Sequence, residues 1–115
     1  MRPEHLNVLI VDSDANVREQ ITGWLKADGF HAVAEPSGEA AVRRLREEHA
    51  DFILTAIGLP DMDCLELLRQ VKLLDPAIEV TVITPDVAGT STVQAMRLGA
   101  FDYIVPPLQR EAVGL

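Results

Sequence analysis

Five short apolar runs recur along the chain, and after each one the apolar residues spread out to helical spacing. The runs are 7–11 (NVLIV), 30–34 (FHAVA), 52–56 (FILTA), 78–84 (IEVTVIT) and 101–105 (FDYIV). Their length and β-branched and aromatic content predict strands. The second alternates in part. Most are unbroken, as expected for strands covered on both faces.

The stretches between them read as helices with punctuated ends. Ser13 and Asp14 open the first, whose face is Val17, Ile21, Trp24 and Leu25, with Trp24 in the core; Asp28-Gly29 stops it. After Pro36, Ser37 is the expected N-cap of a helix over 39–48. Ala41, Val42 and Leu45 point inward there, and Arg43, Arg44, Arg46 and Glu47 outward. A third helix starts at Asp63, with Glu66 three residues on as in a capping box. Its buried stripe is Cys64, Leu67, Leu68, Val71 and Leu74, and Asp75-Pro76 ends it. A fourth spans 91–98 with Val93 and Met96 inward and Gly99 as its stop. After Pro106-Pro107, residues 108–115 begin a fifth helix, which is marginal at that length.

Strand then helix, five times, with short connections, means parallel strands joined by right-handed crossovers. The expected fold is a doubly wound α/β sheet, order 2-1-3-4-5, as one domain over 1–115. Flavin-binding proteins share this topology. No Ser/Thr/Gly phosphate loop follows the first strand, so a flavin is not expected.

Charge narrows the choice of partners. The formal net charge of −8 argues against direct nucleic-acid binding, which needs clustered Lys and Arg. No run is long enough to span a bilayer and no signal-peptide pattern follows Met1, so a cytoplasmic location is expected. Cys64 is the single cysteine, which excludes an internal disulfide.

In such a sheet, chemistry happens outside the C-terminal ends of the strands. Asp12, Ala56 and Thr84 fall there. Other polar residues have simpler readings: Asp14 and Asp63 as caps, Asp61 as turn chemistry, Cys64 as a buried helix-start residue. His5, His31 and His49 are too scattered to suggest a metal site.

The segments LIVDSDANVRE, SGEAAV, GLPDMDCLELL, VITPD and MRLGAFDYIVPPL together resemble the receiver (CheY-like) domain of bacterial response regulators. The resemblance covers almost the whole chain. AFDYIVPPL and LPDMDCLELL look most like receivers of enhancer-binding (NtrC-type) transcription activators. What the resemblance implies is a pocket of two acids that hold Mg²⁺, an acceptor Asp, a Thr or Ser, and a Lys before Pro. Matched position by position, Asp12 and Thr84 are retained, while Ser13, Ala56 and Pro106 stand where the second acid, the acceptor and the Lys are expected. Ser13 and Pro106 depart together with Ala56, which argues against one introduced substitution. A methyl group cannot form an acyl phosphate, and one carboxylate is a poor Mg²⁺ site. The expectation is therefore a pseudo-receiver: not an enzyme, with no bound cofactor or metal.

The resemblance also implies dimerisation through the fourth helix, fifth strand and fifth helix, where Arg97, Asp102 and the switch aromatic Tyr103 lie, or docking to an output domain. It implies a cis bond between Pro106 and Pro107. The short fifth helix suggests the N-terminal piece of a longer regulator. Two other readings compete with contact signalling. One is a ligand sensor using a cavity between Asp12, Ala56 and Thr84. The other is phosphorylation at a displaced acid, Asp12 or Asp61.

Overall fold

The computed structural model describes residues 6–106. In chain order the elements are β1 (Asn7–Val11), α1 (Ala15–Ala27), β2 (His31–Glu35), α2 (Gly38–Glu47) and β3 (Phe52–Ala56), followed by α3 (Cys64–Leu74), β4 (Glu79–Ile83), α4 (Thr90–Arg97) and β5 (Asp102–Ile104). The strands form one parallel sheet in the order β2-β1-β3-β4-β5, as expected from the alternation.

Strand side chains alternate between two cores, which explains why both phases of each strand are apolar. In β1, Leu9 and Val11 join Ile53, Val80, Val82 and the inner faces of α2, α3 and α4. Val8 and Ile10 point the other way, onto Ile21 and Leu25 of α1, with Leu54, Ile83 and Ile104. Burying each such aliphatic side chain contributes about 1.5–3 kcal/mol. The N-caps hold as read, but the Glu66 side chain turns to Gln70 at 3.1 Å and Arg69 at 3.5 Å and closes no capping box. Asp14, Ser37 and Asp63 each accept a backbone N–H of the helix that follows, from Asn16, Ala40 and Glu66. Gly29 and Gly99 take positive φ after α1 and α4, where glycine alone is unstrained.

The helix faces need correction in places. On α4 the buried residues are Thr92 and Ala95, while Val93 and Met96 are each 38% exposed. Both pairs have a spacing of three, so periodicity could not choose between them, and the apolar pair faces outward. On α3 the stripe includes Leu65 and stops at Val71; Leu74 is exposed because it lines an open cleft with Leu45 and Ile78, where α2 has ended. Trp24 is half-buried at the rim of the α1 core rather than inside it. Arg44 is half-buried as well, drawn inward by Glu35 at 3.3 Å. The Pro106-Pro107 bond and the fifth helix lie outside the described residues. Among the described residues no helix is long and apolar enough to cross a membrane.

Candidate functional site

Strand register assembles the candidate site. Val11 is level with Thr55, so Asp12 comes level with Ala56. Ala56 is level with Ile83 and Ile83 with Ile104, which sets Thr84 beside the end of β5. The backbone continues the ladder past the strands: Asp12 N–H donates to Glu35 (3.2 Å), Ile57 N–H to Ile83 (3.0 Å) and Thr84 N–H to Ile104 (2.9 Å). Asp12, Ala56, Thr84 and the chain leading to Pro106 thus meet along the C-terminal edge of the sheet, as the sequence predicts.

Each member is held locally. Asp12 is 9% exposed, and its Oδ1 accepts the Asp14 N–H at 2.9 Å. Its carbonyl accepts from Arg18 Nη1 at 2.7 Å. Ser13 beside it is exposed. Ala56 is half-buried and brings no side-chain oxygen. Thr84 is 1% exposed; its hydroxyl contacts Thr92 Oγ1 at 3.0 Å. Pro106 is exposed and offers no charge.

The loop after β3 folds back on itself. Leu59 N–H donates to Met62 and Cys64 N–H to Ile57, each at 3.1 Å. Asp61 does more than close a turn, which corrects its reading from sequence. Its carboxylate accepts the Gly38 N–H at 3.0 Å and the Glu39 N–H at 2.8 Å, at the start of α2. Together with Ser37 it occupies the first three N–H groups of that helix, which a helix leaves unsatisfied. The hydrogen bond from Glu39, more than any other influence, holds the Asp61 carboxyl below the usual range. Asp61 lies more than twenty residues from its partners, so nothing in the local sequence signals this role. Met62 lies over Gly38, so close that a Cβ there would come within 2.5 Å of its side chain. Cys64 is 1% exposed, and burial, with Asp63 adding to it, pushes its thiol up to about 11.

The other expected residues lie on a second surface. Tyr103 is exposed, at 41%, and so are its neighbour Asp102 and, at the end of α4, Arg97; Asp102 Oδ1 accepts the Tyr103 N–H at 2.8 Å. Val93 and Met96 of α4, and Phe101 and Val105 flanking β5, are also exposed. A cleft of about 290 Å³ opens at the opposite edge of the sheet, where Arg44, Leu45 and His49 face Asn7 and His31 at the strand starts. That is not where a ligand-sensor cavity was expected. Among the described residues no cluster of three or more His, Cys, Asp or Glu side chains is arranged to hold a metal ion.

Comparisons with known proteins agree with this architecture. The response regulator receiver domain matches residues 8–113. The transcriptional regulatory protein ZraR of Escherichia coli K12 is 30% identical over 108 residues, 94% of this chain and 24% of ZraR. Chemotaxis protein CheY of Bacillus subtilis is 32% identical over 107 residues, 92% of this chain and 89% of that protein. The crystal structure of the CheX–CheY–BeF3–Mg²⁺ complex from Borrelia burgdorferi matches with a TM-score of 0.86 at 28% identity, covering 94% of this chain and 83% of that one. The chain spans about a quarter of the length of ZraR but most of CheY. Fold, strand-edge geometry and near-complete coverage converge, and the chain belongs to the response regulator receiver domain family.

Proposed function

We propose that this receiver is degenerate and signals by protein–protein contact, without taking up a phosphoryl group. One observation carries the reading: Ala56, a methyl group, ends β3 level with Asp12 and beside the β4 end that leads to Thr84. An acyl phosphate needs a carboxylate oxygen as nucleophile at that point. A displaced acceptor is not favoured. Asp61 is bound to the start of α2, and at Asp12 the Arg18 guanidinium is spent on the backbone carbonyl at 2.7 Å while Oδ1 accepts the Asp14 N–H. On this reading the domain is not an enzyme.

The Mg²⁺ that the family implies does not fit these residues. Mg²⁺ demands near-octahedral oxygen donors, with one or two carboxylates and commonly phosphate. Of the carboxylates at the strand ends, Glu35 is paired with Arg44 at 3.3 Å, and Asp12 already accepts the Asp14 N–H on Oδ1. Ser13 supplies a neutral hydroxyl and Ala56 nothing.

The output surface in this proposal is the α4–β5 face. It combines exposed apolar side chains with one cation and one anion, Arg97 and Asp102. Such a patch is self-complementary about a two-fold axis, so a second copy of this chain is the first occupant proposed. An attached or separate output domain that regulates transcription is the other, since ZraR carries its matching stretch within a much longer chain. The cytoplasm is the proposed location.

Beryllofluoride with Mg²⁺ tests the reading, because the relative from Borrelia burgdorferi crystallised with both. Titration followed by amide NMR should leave the spectrum unchanged. Saturable shifts centred on Asp12, Ala56 and Thr84 would defeat the proposal.

A further inference from the structure

We propose that Thr84 and Thr92 form a hydroxyl latch that holds α4 to the end of β4, so that the α4–β5 face keeps one arrangement with no anion bound. The inference rests on the receiver reading above and says how its output face is held.

The Thr84 and Thr92 side chains are buried, at 1% and 2% exposure, and their Oγ1 atoms are 3.0 Å apart. Asp86 N–H donates to Thr84 Oγ1 at 3.2 Å. The Asp86 carbonyl accepts from Gly89 N–H at 3.1 Å and lies 2.9 Å from the Thr92 hydroxyl. Those two donors fill both lone pairs of the carbonyl. Thr84 Oγ1 lies farther from it, at 3.2 Å, so Thr92 is the better-placed hydroxyl donor to that carbonyl. With the Thr92 proton on the nearer Asp86 carbonyl, the Thr84 hydroxyl is the one that donates to Thr92 in the proposed latch. One closed circuit satisfies every group: Asp86 N–H to Thr84, Thr84 to Thr92, Thr92 to the Asp86 carbonyl.

This circuit joins two elements that have few other ties. Thr84 follows β4 and is anchored by its N–H on Ile104. Thr92 lies in the first turn of α4, an eight-residue helix with no side-chain N-cap. The buried side chains of α4 are Thr92 and Ala95, so half of its inner face is the latch itself. The intervening loop is drawn tight. Asp86 Oδ1 accepts the Ala88 N–H at 3.1 Å, and a Cβ on Gly89 would come within 3.2 Å of the Asp86 carbonyl. For Thr84 to donate instead to an anion at the strand ends, it would have to release Thr92 and leave that buried oxygen short of a donor.

Amide hydrogen exchange on the whole chain tests the latch. Thr92→Val keeps the shape and removes the hydroxyl. It should speed exchange across 86–97 by about tenfold, while amides of β1 and β3 stay as in the wild type. Thr92→Ser keeps the hydroxyl and should stay near wild-type protection. Unchanged protection of α4 in Thr92→Val, or equal loss in the serine and valine variants, would overturn the proposal. If valine also loosens β1 and β3, Thr84→Ala is decisive: it must release the same α4 amides, and wild-type protection there defeats the latch. Exchange involves no phosphate. A chain that took up phosphate would sink the contact-signalling reading and leave the latch to be judged on α4 alone.

Discussion

Gly38 opens α2 directly beneath Met62, and the space a β-carbon would need is filled by the methionine side chain. Alanine is the better helix former by about 1 kcal/mol, so propensity alone favours Gly38→Ala. Packing argues the other way, because overfilling a tight contact costs about 1–3 kcal/mol. Gly38→Ala is expected to lower stability in urea denaturation by about 1 kcal/mol, and Gly38→Ala with Met62→Ala to lose less than the two changes summed. Cys64 teaches a related lesson. Its thiol is buried and raised to about 11, so about one part in 10⁴ is thiolate at pH 7. It belongs to the packing of α3, as its place in the apolar stripe suggested.

Elements are tied to each other by side chains far apart in sequence. Asp51 stitches three strand starts: its Oδ2 accepts the Asn7 N–H at 2.8 Å, its N–H donates to the Asn7 carbonyl, and its carbonyl accepts from Glu79. Burial raises its carboxyl pKa, but the Asn7 N–H and the His49 ring together outweigh burial and hold it below the ordinary value. A lowered pKa in the folded state stabilises the fold above the ordinary carboxylate value, about 3.9, and that contribution disappears as pH falls through the lower folded value. Asp51→Ala should therefore cost about 1–2 kcal/mol at neutral pH. The gap to the wild type should close on acidification below about pH 4, which thermal melts across that range would register.

Long-range ties of this kind are what the sequence could not disclose. Strands were legible because runs such as NVLIV and FILTA are apolar in both phases, and caps were legible because Asp14, Ser37 and Asp63 act within three residues of themselves. The strand-edge set of Asp12, Ala56 and Thr84 followed from element order and was then assembled by register. The Asp61 link to α2 and the Thr84–Thr92 pair depend on loops meeting in space, and no local pattern marks them. On α4 the outward apolar pair imitated a core face, because that surface is apolar without being interior.

At the scale of the whole molecule, information must leave through a surface. The proposed two-fold contact would set Arg97 of one copy near Asp102 of the other. Arg97→Glu should weaken self-association by about tenfold, two lost pairs at rim strength. Arg97→Glu combined with Asp102→Arg should restore it. Sedimentation equilibrium reads both, and a dissociation constant indifferent to the single change would place the contact elsewhere. Added salt should change the wild-type association only modestly, because screening the two pairs is offset by relief of repulsion between copies of net charge −8.

The absence of an acceptor oxygen at Ala56 is tested most directly by intact-mass spectrometry after incubation with acetyl phosphate and Mg²⁺. The chain should keep its mass, and Ala56→Asp should give no more than weak labelling while Ser13 and Pro106 remain. A hydroxylamine-labile gain of one phosphoryl group on the unaltered chain would contradict the reading at its root.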